Sequence, residues 1–324
     1  MPRIRAAGLR LAAGLSLIAA LAACEPSPYA PTPQAPKTGP RPVAAPPGLG
    51  TAPRSPESQA MQAYYAQVQD TLAGRGLLRQ DVAPRDVPFS KRQLVDDFIH
   101  IALYDEYTNR GGTFVARQTP SRLRRWAVPV QVSVEFGDSV PQAERKRDRA
   151  LISAYAGQLA RATRHPVGMA ASPAQANFNV LVLNEDERRA IGPRLRELVP
   201  GVDQASLEAI INLQPTTFCV VFAFSEGAVP SYSRAVAVIR GEHPETLRRS
   251  CVHEELAQGL GLANDYPRAR PSIFNDDEEF ALLTRHDELL LQILYDPRLR
   301  PGMTEAEARP IVEAIATEIM GPDA

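Results

Sequence analysis

Strict alternation is the clearest pattern in the chain: Val128, Val130, Val132, Val134 and Phe136 face one way, Pro129, Gln131, Ser133 and Glu135 the other. A period of two predicts a half-buried strand. Upstream the period is helical. Met61, Tyr64, Tyr65, Val68 and Leu72 predict a helix over 57–74, and Leu94, Phe98, Ile101 and Leu103 another over 90–107, with Ser90 able to cap its start. Gly111-Gly112 and Pro120 break the chain before Trp126. Downstream the pattern predicts a helix over 142–164, a strand over 178–183 and helices over 185–198 and 203–213. A buried strand from Phe218 and a second strand over 234–239 follow. Pro244 is suited to the first position of the next helix, with Glu245 at its positive end, and that helix runs to about Leu260. Thr284 with Asp287, and Thr304 with Glu307, are capping boxes that start two further helices. The fold class is therefore α+β. The sequence has no internal repeat and no glycine-rich phosphate loop.

The amino terminus has a different logic. Arg3, Arg5 and Arg10 precede an uncharged block from Leu11 to Ala23, which is shorter than the roughly 20 residues of a membrane span and has the form of an export signal. Leu21-Ala22-Ala23-Cys24 resembles the cleavage site of bacterial lipoproteins, which implies a lipidated Cys24 and a chain held in the cell envelope. Glu25 after the cysteine leans toward the outer membrane. Residues 24–56 are rich in proline and lack apolar periodicity, so they are expected to form a solvated tether. At about 3.1 Å per residue it would span roughly 90 Å. Removing 1–23 takes away the three arginines and moves the formal charge from −1 to −4, which does not suit a nucleic-acid partner. The expected organisation is a signal at 1–23, a tether at 24–56, a small helical region at 57–120 and the main domain at 121–324. In an oxidising compartment Cys219 and Cys251 are expected to pair, against the alternative of two separate buried thiols.

The chemistry concentrates in Cys251-Val252-His253-Glu254-Glu255-Leu256-Ala257-Gln258-Gly259-Leu260-Gly261-Leu262-Ala263-Asn264-Asp265. This stretch resembles the active-site helix of metzincin-type zinc metallopeptidases. Ser272-Ile273-Phe274-Asn275-Asp276 stands where their Met-turn would be, and the likeness covers about 126–295. It implies a zincin-like domain, a mixed sheet packed with an active-site-type helix and followed by C-terminal helices. The ligands depart from that pattern. A helical zinc pair needs His at i and i+4, and i+4 from His253 is Ala257. Gln258, at i+5, points about 140° away on a regular helix. His253, Gln258 and Asp265 are the set that zinc would have to use, with Glu254 as the general base; the acidic loops offer oxygen to calcium without EF-hand spacing. The plainer reading makes Glu254 and Glu255 carboxylates that fix the loops at Asn264-Asp265 and Asn275-Asp276. His286 is expected at the surface or in a capping role, His100 in the core, and His165 at a helix end that suits a cation.

Glu254-Glu255, Gln258, Leu260-Gly261-Leu262, Asn264-Asp265, Ser272 to Asp276, Leu283-Thr284, His286-Asp287, Leu294 to Leu299 and Pro301-Gly302-Met303 together resemble the domain-of-unknown-function 2927 family. Its members include proteobacterial proteins described as lipoproteins, and the resemblance implies no reaction. The expectation is a metallopeptidase-shaped envelope module, non-catalytic and without a cofactor, anchored to the membrane by lipid and binding a peptide or protein partner along the strand over 234–239. A divergent zinc peptidase and a purely structural lipoprotein are the alternatives.

Overall fold

In the computed structural model, which describes residues 52–110, 113–227 and 229–321, helices α1 (Pro56–Gly74) and α2 (Lys91–Ala102) come first. Strands β1 (Tyr104–Arg110), β2 (Thr113–Pro120), β3 (Arg125–Trp126) and β4 (Val130–Phe136) follow. Helix α3 (Gln142–Thr163), strands β5 (Val167–Met169) and β6 (Phe178–Leu183), and helices α4 (Glu185–Ala190), α5 (Gly192–Leu198) and α6 (Gln204–Ile211) come next. The chain then runs through β7 (Cys219–Ser225), β8 (Ser231–Arg240), α7 (Glu245–Gln258), α8 (Arg285–Leu294) and α9 (Glu305–Met320). The expected signal segment, Cys24 and the expected tether up to Thr51 lie outside the described residues. No helix among those described is long and apolar enough to cross a membrane.

Local rules account for most boundaries. Ser90 caps α2 in a box with Gln93, Thr284 caps α8 with Asp287, and Thr304 caps α9 with Glu307. The predicted helix over 90–107 is corrected at its end: α2 stops at Ala102, and Tyr104 opens an antiparallel hairpin with β2. Tyr104, Tyr107 and Thr108 favour extended backbone, so local β chemistry overrides the helical spacing.

Strand order is β5, β4, β6, β8, all parallel, with β3 parallel to the first residues of β8. β7 runs antiparallel on the other side of β8, Cys219 opposite Ile239 and Phe224 opposite Arg234. This corrects the expectation that the strand over 234–239 is a sheet edge: β8 has neighbours on both sides, and β7 is the outer strand. Both sheet faces are covered. Val180, Val182, Ala235, Ala237 and Ile239 pack on one side with residues of α2, α3, α7, α8 and α9. Leu181, Leu183, Val236 and Val238 pack on the other with Leu195, Leu207 and Ile210. Burial on both faces is why these strands read as continuous apolar runs while the partly covered β4 alternates.

Two glycines end α7 because nothing larger fits. A Cβ on Gly259 would lie 2.5 Å from Phe178 Cζ, and one on Gly261, at φ 125°, would lie 2.4 Å from the Arg124 carbonyl oxygen. The close approach lets two aromatic residues satisfy the last carbonyls of the helix: Trp126 Nε1 donates to Gly259 O at 2.8 Å and Tyr295 Oη to Leu260 O at 2.9 Å. Gly261→Ala meets both a forbidden φ and a backbone clash, so urea unfolding should show a loss of about 3 kcal/mol or more.

Candidate functional site

Helix α7 places the sequence-predicted residues on different partners. Cys251, buried on its inner face, forms a disulfide with Cys219 at the start of β7. His253 is buried against Tyr155, ring centroids 4.0 Å apart, and its Nδ1 accepts the Leu283 backbone N–H at 3.1 Å. An accepting Nδ1 requires the proton on Nε2, the opposite of the tautomer a metal-bound Nε2 needs. Burial, and secondarily Arg249, pushes the pKa of this ring down to about 3, so it is neutral. Gln258, one turn further, donates from Nε2 to Asp265 Oδ1 at 3.2 Å, and α7 is regular α-helix throughout, without a bulge to turn Gln258 toward His253. Asn264 is fully buried, and its backbone N–H and Nδ2 donate to Ile101 O and His100 O, closing the carboxyl end of α2. The structure thus joins Gln258 to Asp265 and leaves His253 with Tyr155 and Leu283. Among the described residues, one group brings metal-type ligand atoms within 4.8 Å of one another: Cys219, Glu254 and Glu255. The Cys219 sulfur is already bonded to Cys251, which leaves two carboxylates. This donor set does not fit zinc.

The loop motif and the start of α8 make one buried polar node. Asp287 Oδ1 accepts from Ser272 Oγ at 2.6 Å, while its Oδ2 accepts from the backbone N–H of Ile273 and Thr284 and from Thr284 Oγ1. His286 is corrected from a surface to a core residue: it has no exposed area, with Nε2 3.1 Å from Asp97 Oδ2 and Nδ1 3.6 Å from Asp287 Oδ1. Burial pulls its pKa down, but the two carboxylates outweigh that and raise it. Burial raises the pKa of Asp97 against the pull of His286. Asn275 and Asp276 sit just beyond: Asn275 Oδ1 accepts from the Asp277 N–H, and Asp276 is exposed at φ 60°. His100 is half-buried, stacked on Tyr266 at 4.1 Å, and His165 is held neutral by burial rather than charged as its helix-end position suggested.

At the carboxyl end of the parallel strands, where open sheets commonly bind ligands, the crevice is filled by charge pairs. Arg240 Nη1 meets Glu185 Oε2 at 2.8 Å, and Arg248 Nη1 meets Asp148 Oδ2 at 2.8 Å and Glu144 Oε2 at 2.9 Å. Helix α1 lies over them: Ser58 Oγ donates to Glu242 Oε1 at 2.8 Å, and Arg54 Nη2 to Gly241 O at 3.1 Å. The last residues of the expected tether are therefore docked on the fold.

Strand β7 presents the available backbone. Ala235 and Gly241 donate toward β6, so the even-numbered residues of β8 face β7 and bond Val220, Phe222 and Phe224. The N–H and C=O groups of Val221 and Ala223 consequently point outward, where no other strand among the described residues pairs with them. Edges are usually blunted by Lys, Pro or a bulge. Cys219-Val220-Val221-Phe222-Ala223-Phe224-Ser225 has neither charge nor proline, and its one irregularity lies at the far end, between Phe224 and Ser225.

A family model described as protein of unknown function (DUF2927) matches residues 91–314, more than half of the chain, so the chain belongs to that family. The match opens at the first residue of α2 and includes the Asp287 node, α7 and β7. No curated protein and no solved structure gives a significant match.

The buried histidine has a measurable signature. A base with a depressed folded pKa contributes stability that is complete above its unfolded value of about 6.5 and is lost as pH falls toward the folded value. Between pH 6.5 and 5 His253 should cost the fold about 2 kcal/mol. His253→Asn, which keeps an acceptor for Leu283, should remove that part of the slope in urea unfolding compared at the two pH values.

Proposed function

We propose that this DUF2927 chain is an envelope-anchored, non-catalytic module that binds an extended segment of a partner protein by adding it as a strand beside β7. The observation that carries the reading is the outer edge of β7, which offers the Val221 and Ala223 backbone groups and has no charge or proline against pairing. Strand addition draws its affinity from main-chain hydrogen bonds and its selectivity from alternate side chains. The disulfide holds β7 to α7, and pairing with β8 fixes its register, so the edge is rigid before a partner arrives. The lipobox-like run Leu21-Ala22-Ala23-Cys24 and the Pro-rich segment after it support the envelope part of the reading, since both suit a domain held at a membrane with reach toward partners.

The metallopeptidase-like frame supports a zincin-like ancestry: a mostly parallel sheet with one antiparallel outer strand, a helix ending in Gly259-Leu260-Gly261, and a polar loop before α8. A divergent peptidase would need a metal-bound water for Glu254 to act on. The tautomer imposed on His253 by Leu283 and the separation of Gln258 from it argue against that site.

Val221→Pro removes an outward N–H without touching the ladder to β8, so it should change stability little while blocking strand addition. Selection of a random peptide library on the wild-type protein should enrich segments with alternating apolar residues, and Val221→Pro should weaken their binding about tenfold, or about 1.4 kcal/mol. Enrichment that is equal on both proteins, or no enrichment, would remove the proposal.

A further inference from the structure

An open cleft of about 490 Å³ lies where the carboxyl ends of α3 and α8 meet β3. It is lined by residues the partner-binding reading leaves unused, among them Tyr295 and Asp296 from the family-like run that follows α8. Tyr295 and His165 form an aromatic wall, ring centroids 5.0 Å apart and tilted by 39°. His165 Nε2 lies 2.8 Å from Val128 O, an oxygen that only accepts, so Nε2 carries the proton and the neutral ring keeps Nδ1 as an acceptor.

The charge in the cleft is unbalanced. Arg125 sits over the Tyr295 ring at 5.4 Å and spends its donors on backbone carbonyls, Leu294 O at 2.5 Å, Leu299 O at 2.7 Å and Asp296 O at 3.2 Å, and it feels the Asp296 carboxylate through space without a direct ion pair among the described residues. The one carboxylate of the lining, Asp296, is held by Arg298 at 2.9 Å. Arg164 is exposed and makes no hydrogen bond or ion pair with another described residue. It also occupies φ 55° at the end of α3, a left-handed position where glycine or asparagine is the inexpensive choice. The chain therefore places a guanidinium at the mouth of an aromatic cleft despite a backbone cost of about 1 kcal/mol.

We propose that this cleft binds a small carboxylate carried on a flat ring. The ring lies against Tyr295 and His165, and the carboxylate meets Arg164 in the two-point geometry that guanidinium favours. The site is separate from the β7 edge and stands or falls independently of it.

Trp126 lines the cleft and is the single tryptophan of the chain, so its emission is an internal reporter. Benzoate should produce a saturable change in Trp126 fluorescence and shift the backbone amide signals of Arg125–Ala127 and His165 in the full chain. Benzamide, the same shape without charge, should bind about tenfold more weakly. Arg164→Asn removes the charge while suiting the left-handed backbone, so it should fold with equal or slightly higher melting and also lose about tenfold. Equal binding of benzoate and benzamide, equal binding by the variant, or no saturable change in either readout overturns the proposal. Inorganic phosphate that displaces benzoate with equal affinity overturns the ring part.

Discussion

Two guanidinium groups that water cannot reach, Arg240 and Arg248, govern the architecture around the sheet. Each is about 1–2% exposed. A buried cation without partners costs several kcal/mol, so each must be met on several sides. Arg240 collects Glu185 and the carbonyls of Leu213, Gln214 and Thr217; Arg248 collects Asp148, Glu144 and the carbonyls of Gly241 and His243. These bonds fix α3, α4, α7 and the approach to β7 against the end of β8. The order they impose uses up the crevice that such a sheet ordinarily leaves for a ligand. The two sites proposed for other molecules lie elsewhere, at the outer strand β7 and at the opposite end of the sheet.

Local signals in the sequence were reliable because they involve few neighbours. Capping boxes at Ser90, Thr284 and Thr304, a strand at β4, the Gly-Leu-Gly stop of α7 and the pairing of Cys219 with Cys251 all appear in the structure. The alternation along β4 is kept only in part: Val130 and Val132 are buried, but so is Ser133, and Val128 lies exposed before the strand. What the sequence concealed depends on contacts across long separations. Nothing near Asp97 points to His286, and nothing near His253 points to the Leu283 N–H that selects its tautomer. The edge position of β7 was equally hidden, because an apolar run reads the same in the middle of a sheet as at its rim. Arg240 and Arg248 look like surface residues in sequence, where a charge carries no mark of burial.

The family-like motif gains a physical meaning from the node at Asp287. Ser272, Ile273 and Thr284 converge on one carboxylate, with His286 bridging to Asp97 on α2. A motif that resembles catalytic machinery is here spent on joining α2, the loop and α8. Asn264 does the same between α7 and α2. The less conspicuous features, an uncharged outer strand and an aromatic cleft with an exposed arginine, are the ones on which the two binding proposals rest.

The bridge between Cys219 and Cys251 has a consequence beyond holding two elements together. Val220 to Phe224 is a short, uncharged, β-branched and aromatic run, the composition that nucleates cross-β stacking when a strand peels from its sheet. The disulfide clamps that run at its first residue and closes a loop with a sequence separation of 32, worth roughly 3–4 kcal/mol against local opening. A chain still reduced would leave this segment free to fray and to stack on its own copies. The disulfide thus ties down the segment whose composition would favour stacking on a second copy.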